Sequence, residues 1–217
     1  MIKLLSTLVV ATLCLTASVA EAAGFGFVDV PADPEGPAMT GAVWSPCALP
    51  PQEVEVAGTA LPGVKDCPIS GDKLPLVVIS HGKAGSFIGH HDIAETLADV
   101  GFIVAAINHP GDTSTDMSRS GDLSAFVERP TDIKRLIDFM VQASPVASKI
   151  DPQRIGFFGF SRGGLHRTRP HRCQSRLGRG HGLLRAIVCP CLRANPPKGV
   201  SNSSSHARYA DQGCRHR

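Results

Sequence analysis

The chain has 217 residues, of which 42% are hydrophobic and 19% charged, an ordinary globular composition with enough length for one sizeable α/β domain. Its net charge of +3 hides two opposed segments: residues 1–164 carry 11 Lys and Arg against 18 Asp and Glu, whereas residues 165–217 carry 11 against 1. The change of sign directly after Gly164 needs an explanation of its own.

The chain opens as a secretory signal. Lys3 supplies a positive n-region, Leu4 to Val19 is largely apolar, and Ala20-Glu21-Ala22 is a small-x-small cleavage site, so residues 1–22 are expected to be removed and the protein to be secreted or periplasmic. A membrane anchor is the rival, but the apolar run is short for a spanning helix. Cys14 is not preceded by Gly, Ala or Ser and marks no lipoprotein site. In an oxidising compartment Cys47 and Cys67 form a disulfide; two buried free thiols are the alternative.

Gly24 to Val30 reads as a strand, Pro31 to Pro37 as turns, and Ala42-Val43-Trp44 as a second strand broken at Ser45-Pro46. Recurrent proline and glycine from Cys47 to Lys73 predict an irregular surface excursion, with regular structure resuming at Leu74. Pro75 to Ser80 is a continuous apolar run, expected to be buried on both faces and to end in His81-Gly82-Lys83-Ala84-Gly85-Ser86. A helix follows from His91 to Val100, with Ile93, Ala94, Leu97 and Ala98 on one side and Gly101 as its stop. Phe102 to Ile107 is the next buried strand, so strand, helix and strand predict a parallel pair with a crossover. Asp112 to Leu123 is a polar loop. Pro130 is then placed in the first turn of a helix whose Ile133, Leu136, Ile137, Met140 and Val141 form one apolar stripe.

The sharpest motif closes this series. Asp151-Pro152 signals a turn, Ile155 to Phe160 has strand character, and the run ends in Gly159-Phe160-Ser161-Arg162-Gly163, a Gly-x-Ser-x-Gly nucleophile elbow. In such an elbow the serine backbone is strained, and the glycines on either side let strand and helix approach without a Cβ between them. An ordinary polar turn would give the same letters, but the preceding strand favours the elbow. Ser161 is therefore the candidate nucleophile. The oxyanion that its attack creates needs backbone donors, for which the amides of Arg162 and Lys83 are the candidates. A plain strand-ending turn is the alternative role for His81-Gly82.

Together the Pro75–Ser80 strand with His81-Gly82, the Asn108-His109-Pro110-Gly111 strand end, Arg129-Pro130-x-Asp132 and the elbow resemble secreted α/β-hydrolases of the predicted dienelactone hydrolase type, related to platelet-activating-factor acetylhydrolases. The resemblance spans about Gly24 to Gly164. It implies an α/β-hydrolase fold, represented by its N-terminal portion only: a parallel sheet with crossover helices over residues 23–164. It also implies a serine hydrolase acting on small-molecule carboxylic esters through an acyl-enzyme, with no cofactor, no metal and no nucleic-acid partner. Dienelactone hydrolases proper use a cysteine, so Ser161 departs from that label. A peptidase or lipase, or a non-catalytic binding protein on the same scaffold, are the alternatives.

Such hydrolases order their triad as Ser, acid, His. His81, His90, His91 and His109 all precede Ser161, and His81 and His109 occupy turn positions of the resemblance. Beyond Gly164 the acid is Asp211, flanked by His206 and His216, so Ser161, Asp211 and His216 match the order by letter alone. The helix expected after the elbow is replaced by Leu165-His166-Arg167-Thr168-Arg169-Pro170-His171-Arg172, which opens a tail with 10 Arg, 5 His and 4 Cys. A nucleic-acid-binding arm seldom begins inside a hydrolase core. A metal site lacks its partner pair, since Cys189-Pro190-Cys191 stands without one at finger-like spacing. A reading-frame shift accounts better for the tail, residues 165–217, with a disordered basic tail as the alternative. Read from the second nucleotide of the Leu165 codon, permissible codons also encode Cys-Thr-Gly-Leu-Val-Leu-Ile-Gly, an apolar helix of the kind an elbow needs. The chain as written is thus expected to lack its triad acid and histidine, to be inactive or nearly so, and to be poorly soluble.

Overall fold

The computed structural model describes residues 23–56 and 58–165. The signal expected over residues 1–22 and the tail residues Cys189, Cys191, His206, Asp211 and His216 lie outside the described residues. No helix among the described residues is long and apolar enough to cross a membrane.

The strands are β1 (Gly24–Val30), β2 (Met39–Ser45), β3 (Gln52–Val56), β4 (Thr59–Lys65), β5 (Leu74–Ser80), β6 (Ile103–Ile107) and β7 (Ile150–Gly159), with helices α1 (His91–Asp99) and α2 (Leu123–Gln142). They form one sheet in the order β3-β4-β1-β2-β6-β5-β7. β5 pairs in parallel with β6 on one side and β7 on the other, so the expected crossover through α1 is present. β2 joins this parallel part antiparallel to β6, with Gly41 opposite Ile107.

The central strands carry little polarity because both faces are covered. Every residue of β6 is buried. On one face Leu76, Val78, Ile103 and Ala105 pack against Ile133, Leu136, Ile137 and Met140 of α2, the stripe read from the sequence. Burying each of these α2 side chains stabilises the fold by about 2 kcal/mol. On the other face Trp44, Val104 and Ala106 meet Ala94 and Ala98 of α1, whose small side chains let that helix lie close to the sheet. Gly101, at φ +96°, turns the chain out of α1 in a backbone conformation that suits glycine.

Three expectations need correction. The stretch from Cys47 to Lys73 is not an irregular excursion, because β3 and β4 form an antiparallel hairpin within it and β4 extends the sheet beside β1. The alternation in Gln52-Glu53-Val54-Glu55-Val56 was the overlooked signal; it buries Val56, opposite Thr59, beyond an exposed Glu53 and Glu55. Pro62 is accommodated because its nitrogen, like the Val64 amide two residues on, faces the β1 side of β4, where the pairing with β1 is confined to Val64 and Lys65. Second, α2 does not begin at Pro130. Asp122 caps it by accepting a hydrogen bond from the Ser124 amide at 2.8 Å, so the helix starts seven residues earlier and Pro130 lies inside it. Third, β7 begins at Ile150 rather than Ile155. Its pairing with β5 jumps from Leu74–Ile150 to Leu76–Ile155, so the turn signal Asp151-Pro152 makes an irregularity within the strand.

The Cys47–Cys67 disulfide is formed, with the Cα atoms 6.0 Å apart, and ties the end of β2 to the residues after β4. A second tie crosses the molecule: buried Arg135 of α2 donates to Asp33 Oδ2 at 2.9 Å and to the Pro31 carbonyl at 2.8 Å, fixing the Pro31–Pro37 turns against the helix.

Candidate active site

Ser161 follows the carboxyl end of β7 directly and opens a short 3-10 turn, Ser161–Leu165. Its φ is +50°, a left-handed conformation that a non-glycine residue adopts only when its surroundings impose it. Those surroundings are explicit. A Cβ on Gly159 would stand 2.4 Å from the Gly163 carbonyl oxygen, and one on Gly163 would stand 2.1 Å from the carbonyl oxygen of Ser80. The motif glycines are therefore required by contact as well as by turn geometry. The Phe160 amide donates to the Ser80 carbonyl at 3.1 Å and the Gly163 amide to the Phe160 carbonyl at 2.8 Å, which closes the turn. Ser161 itself is exposed.

The loop after β5 lies beside this turn, since a Cβ on Gly82 would be 3.4 Å from Ser161 Cβ. Lys83, exposed, and Ser161 and Arg162 line the same open cavity of about 430 Å³ together with Gly121, Asp122, Leu123 and Phe126. The three residues singled out in the sequence are thus brought together. The Arg162 amide belongs to the first turn of a helical segment, where N–H groups lack intrahelical acceptors. Leu123 and Phe126, from the part of α2 that precedes Pro130, give the cavity an apolar wall.

Behind this surface lies a buried polar layer. Arg129, fully buried, donates to the His81 carbonyl, to the Gly82 carbonyl at 3.2 Å and to Asp112 Oδ2 at 2.8 Å. Asp112, also fully buried, accepts the Ala84 amide on Oδ1 at 3.0 Å and Arg162 Nη1 on Oδ2 at 2.7 Å. Burial alone pushes the Asp112 carboxyl up, but the Ala84 amide, Arg162 and Arg129 hold it below the ordinary carboxylate range. Arg129 is pushed below the ordinary guanidinium value by burial, against the pull of Asp112. Asp112 and Arg129 were missed in the sequence. The available signal was an arginine four residues before Ile133, on the stripe that faces the core.

The histidines among the described residues serve other ends. His81 is buried; its Nδ1 lies 2.7 Å from the Gly82 carbonyl and its Nε2 accepts the His109 amide at 3.2 Å. An imidazole that accepts on Nε2 is neutral and carries its proton on Nδ1, in agreement with burial lowering its pKa to about 4. His109 bridges Asp132 Oδ2, 2.8 Å from Nδ1, and Ser80 Oγ, 2.9 Å from Nε2. Serine, histidine and carboxylate in this order are the parts of a catalytic relay, yet Ser80 is fully buried and does not line the cavity at Ser161. This relay is a strut under the elbow. Burial raises the Asp132 pKa to about 6. His91 pairs with Glu95 along α1 at 3.1 Å. His90 rests on Phe160, ring centroids 5.0 Å apart, and burial lowers its pKa. No histidine lines the cavity at Ser161 among the described residues.

Comparison with known proteins adds the following. Residues 52–144 match the family model described as platelet-activating factor acetylhydrolase, isoform II. No curated protein matches the chain. Among solved structures, the ferulic acid esterase from Streptomyces cinnamoneus is similar at 22% identity with a TM-score of 0.52, over 69% of this chain and 54% of that one. An esterase from an Arctic intertidal metagenomic library gives 19% identity and a TM-score of 0.40 over 64% of this chain and 50% of that one. The chain thus spans about half the length of these two structures. The described residues have the fold of an α/β-hydrolase and make up the N-terminal part of its sheet.

Proposed function

We propose that the chain derives from a serine hydrolase of small-molecule carboxylic esters, with Ser161 as nucleophile and the Lys83 and Arg162 amides as oxyanion donors. The observation that carries this is the left-handed Ser161, exposed at the end of β7 in the cavity that Lys83 and Arg162 also line. The family match over residues 52–144 and the likeness to a ferulic acid esterase support it. The apolar wall of Leu123 and Phe126 suits the acyl or aryl part of such an ester. In the reaction Ser161 Oγ bonds to the ester carbonyl carbon and gives its proton to a base. The negative oxygen rests on the two amides, each contributing about 3 kcal/mol, and the alcohol leaves with a proton. Water then releases the acid from the acyl-serine.

No histidine among the described residues lines the cavity at Ser161 to serve as the base. We assign residues 165–217 to a shifted reading frame, so that the acid and histidine of the lineage are replaced. Turnover should accordingly lie on the order of a million-fold below that of a complete triad. Incubation of the full chain with an alkyl fluorophosphonate, followed by peptide mass spectrometry, tests the nucleophile. Slow labelling of Ser161, rising with hydroxide concentration and absent in Ser161→Ala, is expected. Absence of label at Ser161 at any pH would favour a binding protein on a hydrolase scaffold. Sequencing the gene across the Gly164 codon tests the frame.

A further inference from the structure

The two proposed donors come from chain segments about eighty residues apart, and no backbone ladder joins the Lys83 loop to Arg162 among the described hydrogen bonds. A rigid oxyanion site nevertheless needs them held to a fraction of an ångström. The connection runs through side chains. Arg129 binds the carbonyls of His81 and Gly82, the residues just before Lys83, while Asp112 takes the amide of Ala84, the residue just after it. Lys83 is thus pinned on both flanks. The same Asp112 Oδ2 receives Arg129 and Arg162 together, and Arg162 Nη1 also donates to the Ser120 carbonyl at 3.0 Å. The loop is otherwise a strained one, with Ala84 at φ +52°. A conformation of that kind persists only where its neighbours over-determine it.

We infer that Arg129, Asp112 and the Arg162 side chain form a clamp that holds the Lys83 loop in register with the nucleophile turn, and that Asp112 and Arg129 are positioning residues for the oxyanion site. The clamp has one carboxylate for two guanidinium groups, so Asp112 is its keystone. Arg129 contributes a planar fork that spans two carbonyls and a carboxylate, which a lysine ammonium on the same stem does not reproduce. The catalytic part of this assignment rests on Ser161 being the nucleophile. The structural part does not.

The test uses the full chain with Asp112→Asn and Arg162→Ala. Asp112→Asn leaves buried Arg129 and half-buried Arg162 without their shared carboxylate, and where it fails to fold, Arg162→Ala, which removes a partly exposed arm and keeps the backbone amide, carries the test. Arg162→Lys serves as the conservative control. Two measurements are made: amide hydrogen exchange of peptides covering residues 81–86 and 160–164, and the saturation kinetics of fluorophosphonate labelling at Ser161. Exchange in both peptides should rise at least tenfold in Arg162→Ala with α1 and β6 unaffected, and fall back part of the way in Arg162→Lys. The maximal labelling rate should drop about tenfold at an unchanged half-saturating concentration, which overall destabilisation would not produce. Unchanged exchange in both peptides would overturn the clamp. Raised exchange together with no label at Ser161, even in the parent chain, would uphold the clamp and overturn the nucleophile.

Discussion

Gly163→Ala isolates what the elbow demands of the fold. The new methyl group would sit 2.1 Å from the Ser80 carbonyl oxygen, 2.7 Å from its carbon and 2.8 Å from the His81 oxygen, all of them backbone atoms that no side-chain rotation removes. Relief requires β5 and the turn after β7 to part by roughly 1 Å, in an interior packed too densely to absorb it. That movement breaks the Phe160 N–H to Ser80 carbonyl bond. Overpacking of this kind costs about 1 to 3 kcal/mol and the lost hydrogen bond about 1 kcal/mol, so a loss of about 2 to 4 kcal/mol is expected. Gly156→Ala is the matched control, because its Cβ meets Val77 Cγ2 at 3.4 Å, an ordinary contact. Urea unfolding monitored by circular dichroism and by Trp44 fluorescence gives both values. Equal midpoints for the two variants would refute the packing argument, and with it the claim that Gly163 is glycine for steric reasons.

Ser161→Gly should be more stable than Ser161→Ala by about 1 kcal/mol, since only the first relieves the left-handed φ; equal thermal midpoints would contradict the strain. Replacing Cys47 and Cys67 with serine, or reducing the protein, should cost about 3 kcal/mol for a bridge spanning 20 residues, read as a lowered urea midpoint. Two buried groups set opposed pH dependences. The His81 pKa falls from 6.5 to about 4, so its unfolded form binds the extra proton and stability is lost as pH drops from 6.5 to 4. The Asp132 pKa rises from 3.8 to about 6, so its folded form binds the extra proton and stability is gained as pH drops through 6. The two nearly cancel, and Asp132→Asn should therefore uncover the His81 loss of about 3 kcal/mol between pH 6.5 and 4. A flat profile in that variant would refute the neutral, buried His81.

The parallel core was legible because its signals are local and strong. β5 and β6 are unbroken apolar runs, and the stripe from Ile133 to Met140 has one period only. The tight turn at Ser161 was legible because such a turn imposes residue types at fixed spacing. What escaped notice was decided at a distance. The β3–β4 hairpin rests on five residues of alternation inside a proline-rich stretch, and it gains its stability by adding to β1. The start of α2 depends on a cap at Asp122, whereas Pro130 is the more conspicuous letter; tertiary contacts from the second half of the helix let it tolerate a proline in the middle. Asp112 and Arg129 lie seventeen residues apart in loop and helix, and nothing in the sequence pairs them.

The elbow, both proposed donors and the clamp behind them all fall within residues 81–163, a span in which no histidine lines the cavity at Ser161. His81 uses both ring nitrogens within the loop it belongs to, His109 uses both between Ser80 and Asp132, and His91 is held along α1. If the oxyanion donors are in place and the absence of a base alone limits Ser161, a small base in solution should supply what the chain does not. Imidazole should then accelerate fluorophosphonate labelling of Ser161 in proportion to its free-base concentration. A positioned general base contributes about 10² to 10⁴, and a freely diffusing one lacks the positioning, so an increase of roughly 3- to 10-fold is expected near 0.5 M. The increase should follow the titration of imidazole and be several-fold smaller in Arg162→Ala, where the donors are no longer held together. A rate that responds to hydroxide but not to imidazole would show that the defect lies in the oxyanion site and not in the base.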